Sequence, residues 1–100
     1  MDTFSADIAY ISIRDFIIEH GGYWHDWYAG IASDWKERVI SEHHVPWFSD
    51  QFHFVKCHSS ADARDVEQKL LLLGCDGGPG GGDDGTVYAY AYRKGPRTDP

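Results

Sequence analysis

From residue 86 to residue 92 the side chains alternate without a break. Val87, Ala89 and Ala91 fall on one side, Tyr88, Tyr90 and Tyr92 on the other. A period of two is the signature of a strand with one buried face, and it cannot be laid on a helix, whose side chains repeat about every 3.6 residues. A chain that contains such a strand needs partners along it and a layer against its apolar face, so the rest of the sequence has to supply both.

The remaining segments do so. The spacing predicts a helix over 5–20, capped by Ser5, with Asp7 in the first turn and Ile8, Ile11, Phe16, Ile17 and Ile18 as a broad apolar face. His20 and Gly21-Gly22 end it. The aromatic-rich stretch over 23–29 reads as a hairpin with His25-Asp26 as a two-residue turn, which would set Tyr23 opposite Tyr28. Asp34 and Glu37 form a capping box for a second helix over 35–43, with Trp35, Val39 and Ile40 inward, ending before Val45-Pro46. A strand is expected over 52–58. A third helix is expected over 61–73, capped by Ser59 or Ser60 and stopped by Gly74, with Ala63, Val66, Leu70 and Leu73 as its core stripe. Glu67 lies one step off that stripe. Residues 74–85 form a glycine-rich loop, and 93–100 read as a frayed basic tail. The order predicts a single α+β domain over 1–100, a small, mostly antiparallel sheet flanked by helices.

Charge narrows the function classes. Sixteen acidic residues against nine basic give a net charge of −7, which opposes phosphate binding unless the positives gather on one face. Lys36, Arg38, Arg64 and Lys69 are the candidates for that face. The glycine loop lacks the Lys-Ser/Thr of a phosphate-binding loop and opens no helix. No apolar run is long enough to span a membrane and no leader opens the chain, so a cytoplasmic protein is expected. In that compartment Cys57 and Cys75 are expected as free thiols. The spacing of His53, Cys57, His58 and Cys75 fits no familiar zinc pattern.

One stretch carries chemistry. Tyr28-Ala29-Gly30 closes the aromatic run, and Asp34-Trp35-Lys36-Glu37-Arg38 opens the next helix, so a Tyr at a strand end and an Arg on a helix face one site. These two segments resemble the second half of the GIY-YIG nuclease signature, and the Tyr28-to-Arg38 spacing is similar to the family's. Downstream, Ala63-Arg64-Asp65-Val66-Glu67 resembles the family's third-helix Ala-x-x-x-Glu. The resemblance spans residues 23–73 and implies the same α+β architecture and a metal-dependent endonuclease acting on DNA. It implies magnesium or manganese on Glu67, a phosphate held by Arg38, and a water oriented by Tyr28 or Tyr23. His43 or His44 would stand for the family's residue that follows the Arg, with Gly30 and Lys36 contacting substrate. A partner protein would supply DNA specificity. Two positions depart from the pattern: Gly22-Tyr23-Trp24 replaces Gly-Ile-Tyr, and Glu42 occupies the expected His position. The alternative is a binding or interaction module that keeps the fold without the reaction.

Overall fold

The computed structural model of the chain describes residues 2–34, 43, 51–78, 85–95 and 98. The elements are α1 (Ala6–His20), a 3-10 turn (Trp24–Asp26), β1 (Trp27–Ala32), β2 (Phe52–Lys56), α2 (Ser60–Leu73) and β3 (Tyr88–Arg93). The three strands form one antiparallel sheet in the order β1-β3-β2, so the alternating strand is the central one. The α+β reading of the sequence holds.

Alternation along the strands divides the molecule into two layers. Ala29, Ile31, Val55, Ala89 and Ala91 pack with Ala9, Ile13 and Ile17 of α1 and with Ala63, Val66 and Leu70 of α2. Both helices therefore cover the same face of the sheet. The alanines on that face let the helices approach closely, and Ala89 and Ala91 are fully buried there. Tyr90, Tyr92, Ala32, Tyr28, Phe52 and Phe54 make a separate cluster on the opposite face.

Local signals at the helix ends act as expected. The Ser5 hydroxyl accepts the Ile8 N–H, and the Ser59 hydroxyl accepts the Asp62 N–H. Gly74 ends α2 in the left-handed region at φ +118°. Both outer edges of the sheet are covered by short pieces of chain. Phe4 pairs with the end of β2, through Phe4 N–H to Lys56 C=O and His58 N–H to Phe4 C=O, both at 2.9 Å. Asp76 pairs with β1, through Ala29 N–H to Asp76 C=O and Asp76 N–H to Trp27 C=O, both at 2.8 Å.

Two expectations fail. The hairpin over 23–29 does not form. Asp26 turns its carboxylate back onto the Tyr23 N–H at 2.8 Å, which closes a 3-10 turn and leaves only 27–32 as strand. His25-Asp26 has no glycine for a primed hairpin turn, so the local side-chain bond outcompetes a ladder. The first two residues of the expected tail are also anchored. Arg93 belongs to β3, and Lys94 donates its N–H to Asp26 C=O at 2.8 Å and its ammonium to Asp76 at 3.0 Å. That ion pair holds the Asp76 carboxyl below its ordinary range. The predicted helix over 35–43 lies outside the described residues except for His43. Among the described residues no helix is long and apolar enough to cross a membrane.

Candidate functional site

The sheet face away from the helices carries the side chains that can do chemistry. Register places Tyr28 directly beside Tyr92, and Gly30 directly beside Tyr90. Paired residues project from the same face. The Tyr28 and Tyr92 rings accordingly stack at 5.3 Å. On the β1 side of Tyr90 there is no side chain, and the tyrosine fills the space: a Cβ on Gly30 would lie 2.5 Å from its hydroxyl oxygen. Gly30 is thus a close-approach glycine whose neighbour is a protein side chain.

His43 sits on these phenols. Its Nε2 is 2.9 Å from the Tyr90 hydroxyl and its Nδ1 is 3.1 Å from the Tyr92 hydroxyl, while its ring lies 4.8 Å from that of Tyr28. A neutral imidazole has one donor and one acceptor nitrogen, so one hydroxyl donates to it and the other accepts from it. An imidazolium would donate to both, so the two phenols can serve either protonation state. His43 is buried, as are Tyr90 and Tyr92; Tyr28 is the half-exposed member. Gly77 and Gly78 run past it, close enough that a Cβ on Gly78 would lie 2.5 Å from the Tyr28 hydroxyl.

Comparison with protein-family models, with curated proteins and with solved structures finds no match to this chain. The site has to be read from its own geometry.

Of the residues named from sequence, Tyr28, Gly30 and His43 come together. Tyr23 does not: it is 73% exposed and stacks on His25 at 5.4 Å, because the hairpin that would bring it to Tyr28 is absent. The second phenol beside Tyr28 comes instead from Tyr92, with Tyr90 next to it. Both were placed on one face by their alternation, and that alternation was the signal for a shared site. Lys36, Arg38 and His44 lie outside the described residues.

Glu67 is on α2, whose core stripe faces the other side of the sheet. That helix and the Tyr28 ring therefore lie on opposite faces of the sheet. Leu71, one turn further along, is the side chain that a Cβ on Gly77 would strike, at 2.6 Å, and Gly78 abuts Tyr28. Burial pushes the Glu67 carboxyl above its ordinary range, with the Arg64 charge opposing the shift. A lone carboxylate suits magnesium, which keeps most of its waters. No cluster of three or more metal-ligating side chains occurs among the described residues.

Of the four basic residues expected to share one face, two are described. Lys69 is tied to Asp7 and Asp65, both at 3.2 Å, and lies over Tyr10 on the helical layer. Arg64 is exposed on α2. Cys57 and Cys75 are buried free thiols, pushed up to about 11 by desolvation, and so are unreactive.

Proposed function

We propose that the chain is a metal-dependent endonuclease, similar to the GIY-YIG nucleases, that hydrolyses DNA phosphodiester bonds at the Tyr28 edge of the sheet. The observation that carries this reading is the group formed by Tyr28, His43, Tyr90 and Tyr92. A half-exposed phenol there is buttressed by a buried imidazole held between two further phenols. The resemblance expects Tyr28 or Tyr23 to orient the water; of the two, Tyr28 is the one in this group, beside Tyr92 of β3.

In this reading the Tyr28 hydroxyl accepts a hydrogen bond from the attacking water and orients it toward phosphorus. A phenol is a weak base at neutral pH, so its part is orientation. Arg38 holds the non-bridging phosphate oxygens and stabilises the charge that builds on them. Glu67 is the residue that would hold magnesium or manganese. The chemistry the ion supplies when bound is neutralisation of the phosphate and the leaving oxygen.

The test is nicking of supercoiled DNA with magnesium or manganese, under turnover conditions. Glu67→Ala is expected to abolish nicking with the circular dichroism of the fold unchanged. Tyr28→Phe and Arg38→Ala should each slow it by about a hundredfold. If the wild-type chain cuts no DNA form with either metal, the enzymatic reading fails.

A second reading is favoured by one observation: the imidazole and two of the phenols are buried and bonded to one another, as in a structural network. A binding or interaction module without the reaction would look like this. It predicts no cleavage, with either salt-sensitive DNA binding or a protein partner at the same edge.

A further inference from the structure

At the β2 edge of the sheet a cavity of about 280 Å³ opens between the N-terminal segment, α1 and β2. Phe4, Ile8, Phe54 and Val55 form its walls, and Ser12 and His53 meet in it. The Ser12 hydroxyl lies 2.9 Å from His53 Nε2. Asp2 and Lys56 complete the lining.

Three features fix what this space would take. Phe4 is 39% exposed and Ile8 57%, two large apolar side chains turned to a shared hollow instead of the core. The polar pair inside is uncharged, because burial and the nearby His20 hold the His53 imidazole below its ordinary value. Asp2 and Lys56 carry opposite signs, so the lining selects no net charge. The Ser12 hydroxyl can donate to the imidazole and still accept, or accept from it and still donate. One hydrogen bond is therefore on offer within an otherwise apolar space. The volume suits on the order of ten non-hydrogen atoms, at the small end of ligand sites.

We infer that this cavity binds a small uncharged alcohol or phenol, with its apolar body against Phe4, Ile8, Phe54 and Val55 and its hydroxyl on the Ser12–His53 pair. Binding, not acyl transfer, is the role the geometry fits. Ser12 lies in the middle of α1, where the surrounding backbone N–H groups are committed to the helix ladder and cannot form an oxyanion hole. The cavity opens at the β2 edge, away from β1 and Tyr28, and shares Phe54 with the tyrosine-face cluster.

The experiment is a titration of the isotope-labelled full chain followed by NMR, with p-cresol as probe, toluene as the probe lacking the hydroxyl, and benzoate as the anionic control. Saturable shifts for p-cresol are expected at Ile8, Ser12, Phe54 and Val55, with a dissociation constant on the order of a millimolar or tighter. Toluene and benzoate should bind about tenfold more weakly. Ser12→Ala should erase the preference for p-cresol over toluene. Ile8→Trp, at an exposed position that tolerates bulk, should fill the hollow and abolish binding while the spectrum stays folded. Linear, non-saturating shifts, equal binding of benzoate, or binding undisturbed by Ile8→Trp would each overturn the assignment.

Discussion

Glu67 carries a pH signature that separates its two readings. Its carboxyl is harder to ionise in the folded chain than in the unfolded one. The folded state therefore holds the proton to higher pH, and stability from this group falls as pH rises from the ordinary carboxylate range through the raised value. Glu67→Gln should raise the thermal midpoint at neutral pH and change it little at acidic pH. Magnesium should narrow the neutral-pH gap by stabilising only the wild-type chain; a gap unmoved by metal would mark Glu67 as structural. At Gly30 two effects compete. Alanine in a strand gains about 0.5–1 kcal/mol over glycine. Here its Cβ would collide with the Tyr90 ring, whose Cζ would be 2.6 Å away, and overpacking costs about 1–3 kcal/mol. The collision wins, so Gly30→Ala should lower the urea midpoint and disturb the Tyr90–His43 bond. A stabilised variant would show that the ring moves freely.

The elements that were legible in the sequence are those with local causes. Residues 5–20 and 59–74 carry their own caps, stripes and stops, and α1 and α2 begin and end within a residue of expectation. The alternation over 86–92 identified β3 and both its faces. The hairpin over 23–29 was misread because a single Asp26 carboxylate decided the turn, and propensity does not register such a bond. The central place of β3 could not be read, since it depends on pairings between residues more than thirty positions apart. For the same reason the candidate site was half visible. Tyr28, Gly30 and His43 lie in the motif, whereas Tyr90 and Tyr92 reach it only through register. The stop at Gly74 gives an element-scale prediction. A side chain at φ +118° is strained, and its Cβ would lie 3.2 Å from Trp24. Gly74→Ala should therefore cost about 1 kcal/mol or more, read from chemical denaturation, and loosen the Asp76 pairing that follows.

At the scale of the molecule, charge limits how DNA could be held. Arg14, Lys69 and Lys94 are each paired with a carboxylate. Contact with three phosphates would give a fall in the logarithm of the binding constant against that of salt with a slope of about −3. A slope near zero, or no binding at low salt, would point to a protein partner. The strand order has a consequence of a different kind. Among the described residues β1 and β2 are joined through β3, the last of the described elements. Before it arrives, β1 has the single bridge to Asp76 and the end of β2 the single bridge to Phe4. During synthesis the tyrosine face and the helical layer must both wait for residues 88–93 to leave the ribosome. Until then two aromatic-rich strands stand with open ladders, the state in which a nascent chain most needs a chaperone.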